Sequence, residues 1–274
     1  MKMPASENPS GKAAPGAIAL VTGAGKRIGR VIAQRLAREG FSIAIHYNRS
    51  EVEAAELAAA IVAGGGRAHV VTANLADAAA VETIMPSVHE ALGPVTLLVN
   101  CASAFIPDDA LALEGSTFDL HFAVNLRAPV FLAGEFARRL PADADGCIIN
   151  VIDQRVWKLT PQFFSYTLTK SALWTATRTL AQALAPRIRV NAVGPGPTLE
   201  NIYDGPDGLA KEAANVPLRR PAPPDDVAEA VVYLVGARSV TGQMIAVDSG
   251  QHLGWETPDI TAFYSDGAEE QEHG

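Results

Sequence analysis

The chain has 274 residues, 48% of them hydrophobic and 19% charged, with a formal net charge of −8 and a pI near 5.3. That length can bury a large core within a single α/β domain. The acidic balance argues against a nucleic-acid binder, no apolar run reaches the roughly 18 residues of a membrane span, and two cysteines, Cys101 and Cys147, argue against a disulfide framework or a metal site.

The first 16 residues are polar and lack the apolar core of a secretory signal, so they read as a flexible leader. Free cysteines then point to a reducing compartment, the cytoplasm. From Ala17 onward, apolar runs alternate with helix-period segments. Strands are expected at Ala17–Thr22, Phe41–His46, Ala68–Thr72, Val95–Asn100, Cys147–Ile152, Ile188–Val193 and Met244–Val247. Helices are expected at Arg27–Glu39, Glu51–Ala63, Asp77–Leu92, Thr117–Leu140, Phe164–Ala185 and Pro224–Gly236. Strands that are apolar throughout and separated by helices are parallel and buried on both faces. The fold class is therefore α/β: one Rossmann-like, doubly wound parallel sheet of about seven strands spanning residues 17–254. Residues 255–274 read as a C-terminal extension with a frayed acidic end. Gly194–Pro224 is rich in Gly and Pro, lacks periodicity and follows the sixth strand; a loop of that length is usually functional.

The first strand leads into Thr22-Gly-Ala-Gly-Lys-Arg-Ile-Gly29. Gly23, Gly25 and Gly29 allow a tight turn and let a phosphate approach the N–H groups opening the next helix. The spacing is not the usual dinucleotide one, and a plain connecting turn is the competing reading. The second strand ends in His46-Tyr-Asn-Arg-Ser50, with no acid before Glu51. An NAD enzyme places Asp or Glu there for the ribose hydroxyls. Arg49, between Asn48 and Ser50 and near Lys26 and Arg27, suits the extra phosphate of NADP(H) instead.

Tyr166 and Lys170 stand four residues apart, one turn of one helix face, and no other Tyr has Lys at that spacing. A nearby cation favours the phenolate, so Lys170 is expected to lower the Tyr166 pKa and prepare it for proton transfer near neutral pH. A solvated surface pair is the alternative.

These elements, in order, resemble the short-chain dehydrogenase/reductase family: the Gly-rich turn, Asn100-Cys-Ala-Ser103 after the fourth strand, Asn125, Tyr166 with Lys170, and Asn191-Ala-Val-Gly-Pro-Gly-Pro-Thr198. The departures resemble its pteridine reductase branch. Arg27 replaces the middle Gly of the turn, Ala102-Ser-Ala-Phe105 replaces the generic motif, and Asp153 stands where the family has its catalytic Ser. Asn74 replaces the frequent Asp after the third strand. The resemblance implies an NADP(H) site formed by Gly23, Gly25, Lys26, Arg27, Ile28, Gly29, His46, Asn48, Arg49, Ser50, Asn74, Leu75, Asn100, Ala102, Pro195, Gly196 and Thr198. It implies Tyr166, Lys170, Asp153 and Asn125 as the catalytic set, with Asn125 supporting a water path to Lys170. It implies Ser103, Phe105, Asp153 and Tyr166 at the substrate, Phe105 stacking on a flat heterocycle. It also implies a homotetramer.

Asp153 has a physical reading of its own. An ionised carboxylate repels a developing alkoxide, whereas it accepts from the N–H groups of a pterin-like substrate or helps protonate a C=N nitrogen. Staying protonated at pH 7 requires a rise of about 3 pKa units, equivalent to about 4 kcal/mol. The expected activity is NADPH-dependent reduction of a pterin- or dihydrofolate-like C=N bond. A generic carbonyl reductase acting on 3-oxoacyl or sugar substrates is the alternative, and a non-catalytic NADP-binding sensor the further one.

Overall fold

The structure, a computed structural model, describes residues 16–201, 203, 205 and 207–261. The expected leader, apart from Gly16, and the expected frayed end lie outside the described residues. Seven strands form one parallel sheet in the order β3-β2-β1-β4-β5-β6-β7. They are β1 Ile18–Val21, β2 Ser42–Tyr47, β3 Ala68–Thr72, β4 Leu97–Asn100, β5 Gly146–Val151, β6 Ile188–Pro195 and β7 Met244–Val247. Each lies within two residues of its expected position.

The central strands β1, β4 and β5 are buried at every position because both sheet faces are covered. In β1, Ala19 and Val21 join one core cluster while Ile18 and Leu20 join the other, as alternate side chains of a strand must. Helices α1 (Arg27–Arg38), α2 (Glu51–Ala63) and, later in the chain, α8 (Pro224–Gly236) cover the first face. Helices α3 (Ala78–Ala91), α5 (Ala128–Arg139) and α6 (Phe164–Leu184) cover the second. Each fully buried Ile, Leu or Val contributes about 1.5–3 kcal/mol, and such residues fill three of the four positions in each of β1 and β4.

Two expectations are corrected. The single helix expected over Thr117–Leu140 is α4 (Gly115–Phe122), a π-helical turn (Ala123–Arg127) and then α5. The wider turn brings Asn125 fully inside, where it binds the backbone of Ala104. Periodicity cannot show this, because the cause is a contact with a distant loop. Similarly, residues 194–224 are not all loop. They include the end of β6 and the short helix α7 (Gly208–Ala214).

Among the described residues no helix is long and apolar enough to cross a membrane, and no three His, Cys, Asp or Glu side chains cluster as metal ligands. Both cysteines are free, and burial pushes their thiols up to about 11, so neither is a reactive thiolate.

Candidate active site

The neighbours of β1 are β2 on one side and β4 on the other, so the chain winds away from it in opposite directions. A crevice opens outside the carboxyl ends of the strands at such a reversal. Here it is a cleft of about 1020 Å³ lined by the Gly-rich turn, the ends of β2 and β5, and the loop after β6.

At the turn, the backbone comes close to its neighbours because side chains are missing. A Cβ on Gly25 would lie 2.3 Å from Ser50 Oγ, and Gly23 sits at φ +67° with Ala102 Cα 2.9 Å from where its Cβ would be. α1 has no side-chain cap and no acid in its first turn. Its opening N–H groups and positive dipole end therefore face the cleft unopposed, a cradle that fits a pyrophosphate. Lys26 pairs with Glu53 at 2.7 Å. Arg27 occupies the left-handed region at φ 54°, where glycine is favoured, and its guanidinium donates to Glu200 O at 2.8 Å. It thus ties the turn to the loop after β6. Asn48, Arg49 and Ser50 line the cleft at the end of β2; Asn74 and Leu75 line it after β3.

His46 lines the cleft and also braces the turn. It is buried, its Nδ1 accepts from Gly23 N at 3.1 Å and its Nε2 donates to Ala73 O at 3.1 Å. Both ring nitrogens are occupied by backbone, so it shapes the turn. Burial holds it down to about pKa 4. The native state therefore favours neutral His46, and that stability is complete above pH 6.5 and falls as pH drops toward 4. A loss of roughly 2 kcal/mol between pH 7 and pH 4.5 is expected from this group alone. Urea midpoints of the unchanged chain and His46→Gln at both pH values test it; an equal acid loss in both proteins rules it out.

Asp153 stands just beyond β5, and α6 delivers Tyr166 and Lys170. Tyr166 Oη donates to Asp153 Oδ2 at 2.9 Å, and Asp153 Oδ1 accepts from Arg155 N at 2.8 Å. Tyr166 and Lys170 are buried, and the Asp153 side chain is 18% exposed. Burial raises the Asp153 carboxyl. Burial, then the Asp153 charge and hydrogen bond, pushes the Tyr166 phenol well above 10. This overturns the expectation that Lys170 lowers it. Lys170 Nζ donates to Val151 O at 2.9 Å and lies 5.5 Å from the Tyr166 ring centre, while its own burial brings it down to about 8. Desolvation outweighs the cation: the Tyr166 phenol keeps its proton, and the Asp153 carboxyl is shifted toward its neutral form.

Gly25, Asn100 and Asn125 do not line the cleft. Asn100 is buried and donates to Asn150 Oδ1 at 2.8 Å. The Asn125 amide is fully occupied: Oδ1 accepts from Ala104 N and Ser103 Oγ, and Nδ2 donates to Ala104 O and Thr169 Oγ1. The side chain thus joins the Ser103–Ala104 segment to Thr169 on α6. Ala102, Ser103, Pro195, Gly196 and Thr198 do line the cleft. Phe105 lines it as well, but one face is taken, for it stacks on Phe163 at 4.1 Å with 6° between the planes.

Three features escaped the sequence reading. Phe163 sits at φ 54° just before α6, a strained position for a bulky residue. Arg155 lies beside the Phe105–Phe163 stack. A buried relay joins loop to helix: Ile106 N donates to His121 Nε2, His121 Nδ1 to Ser165 Oγ, and Ser165 Oγ to Asp108 Oδ2. It pins the Ser103–Asp108 loop to the residue beside Tyr166. No periodicity or motif signals these; the partners are distant in sequence.

Comparison with known proteins agrees with this geometry. The family model described as enoyl-(acyl carrier protein) reductase matches residues 23–252. The crystal structure of FolM alternative dihydrofolate reductase 1 from Brucella canis, complexed with NADP, is 51% identical, covers 89% of this chain and 97% of that one, and superposes with a TM-score of 0.85. The uncharacterized oxidoreductase YjdA of Bacillus subtilis is 34% identical over 85% of this chain and 96% of its own. The 3-oxoacyl-[acyl-carrier-protein] reductase FabG of Staphylococcus aureus is 31% identical over 86% and 98%. The chain is a member of the short-chain dehydrogenase/reductase family and an NADP(H)-dependent oxidoreductase.

Proposed function

We propose that this chain reduces the C=N bond of a pterin-like heterocycle with NADPH. The observation that carries the proposal is the hydrogen bond from Tyr166 to Asp153, a carboxyl where the family resemblance leads one to expect a Ser hydroxyl. The 51% identity to a protein named as an alternative dihydrofolate reductase supports it. By the same family likeness we propose a homotetramer as the working form, and the two free cysteines suit a reducing, cytoplasmic setting.

NADPH, when bound, supplies a hydride from C4 of its nicotinamide. The protein's part is to hold the acceptor and to furnish the proton. The carbon of the C=N bond takes the hydride and the nitrogen takes a proton from Tyr166, so the substrate gains one C–H and one N–H bond. Asp153, next to the phenol and itself inclined to hold a proton, assists that transfer and orients the nitrogen. Lys170 and Thr198 take the nicotinamide side, and Ser103 and Phe105 the heterocycle. The unopposed amides of α1 hold the pyrophosphate, and Arg49 the additional phosphate.

Purified protein is expected to oxidise NADPH with a dihydropterin or dihydrofolate. Turnover of simple ketones without any pterin turnover would sink the reading and favour a carbonyl reductase; binding of NADPH with no turnover at all would favour a sensor. Arg49→Gln tests the cofactor end. Losing a charge-assisted contact of about 1.5–3 kcal/mol should raise the KM for NADPH roughly 10- to 100-fold and leave that for NADH nearly unchanged. Equal weakening of both cofactors would place Arg49 outside the phosphate site.

A further inference from the structure

Arg155 carries a donor that the fold does not use. Its Nη1 is buried and finds no acceptor among the described residues. Arg189 shows the contrast, since its guanidinium donates to the carbonyls of Leu234, Val235, Ala237 and Val240. A buried N–H without an acceptor is costly, so its persistence asks for a partner. Nor is Asp153 that partner: Arg155 Nε stays 4.0 Å from Asp153 Oδ1, beyond hydrogen-bond range. The guanidinium carbon lies 4.9 Å from the Phe163 ring centre and 5.7 Å from that of Phe105, which holds the cation beside two flat apolar rings. Arg155, Asp153, Phe105, Phe163 and Tyr166 all line the cleft, and Phe105 touches both Phe163 and Tyr166.

In a dihydropterin the ring carbonyl is peri to the nitrogen of the reducible C=N bond. The group that protonates the nitrogen and the group that binds the carbonyl must therefore sit side by side. We propose that Arg155 is a specificity-determining residue that donates from its guanidinium to this ring carbonyl while Asp153 and Tyr166 address the neighbouring nitrogen. The proposal rests on the pterin reading above and extends it to an acceptor carrying a carbonyl next to its C=N bond.

The test is binding, read by quenching of pteridine fluorescence with protein saturated in NADP+. Two ligands are compared: pterin, and 2-aminopteridine, which lacks the ring carbonyl. The unchanged chain is expected to bind pterin about 10- to 100-fold more tightly, the value of a hydrogen bond to a charged group. Arg155→Met should lose that preference by weakening pterin alone, and Arg155→Lys should recover part of it. If the unchanged chain shows no preference, or if Arg155→Met weakens both ligands equally, the proposal is overturned. Dihydropterin turnover by the unchanged chain separates the two readings. Turnover with no discrimination discards only the role of Arg155; no turnover and no pterin binding discards the pterin reading and this inference together.

Discussion

Tyr166→Phe is expected to fold, to bind NADPH as the unchanged chain does, and to turn over about 10²- to 10⁴-fold more slowly, the usual contribution of a positioned general acid. The ring is kept, and with it the edge contact to Phe105 at 4.7 Å and the burial of the α6 face. What disappears is one hydroxyl, the donor to Asp153. That hydrogen bond is among the influences holding the Asp153 carboxyl down, so without it the carboxyl rises further and keeps its proton more readily. Asp153 is then the one acid left beside the substrate nitrogen. A loss near the lower end of the range would mean that Asp153 can donate by itself; a loss near the upper end would mean that it needs the phenol. Single-turnover oxidation of bound NADPH reads the chemical step apart from product release. An unchanged rate would remove Tyr166 as the acid.

What the sequence disclosed follows from how local each cause is. Seven apolar runs separated by helix-period segments encode a parallel sheet because strand period and two-sided burial are written within a few residues. The shared face of Tyr166 and Lys170 is also local, one turn of one helix. Its electrostatic consequence is not. Lys170 is turned to Val151 O, and Tyr166 is sealed beside Asp153, 13 residues back in the chain, so burial sets the sign of the shift. His46 was legible as part of a cofactor edge, but its engagement of Gly23 and Ala73 depends on how β1, β2 and β3 converge. The stacking of Phe105 on Phe163 and the relay through His121 bring together three segments that composition treats as unrelated loops and helix ends.

Asp153→Ser restores the hydroxyl that the family resemblance leads one to expect, and it separates pterin chemistry from carbonyl chemistry. Dihydropterin reduction is expected to fall about 100-fold or more, because the carboxyl that addresses the nitrogen and aligns the acid is gone. NADPH affinity should hold, since neither the Gly-rich turn nor Arg49 is a hydrogen-bond partner of Asp153. Simple ketones should be reduced no worse, and better where an alkoxide gains the new donor. Equal loss of NADPH affinity and pterin turnover would instead give Asp153 a structural role, through its bond to Arg155 N. Asp153→Asn then isolates charge from shape. After burial, the Asp153 charge is the largest influence raising the Tyr166 phenol, so neutralising it lowers that pKa. The rate depends on a protonated phenol and falls once pH passes its pKa, so the alkaline limb of the pH–rate profile should move to lower pH in Asp153→Asn. A limb that stays in place would mean that the carboxyl does not govern the proton it is bonded to.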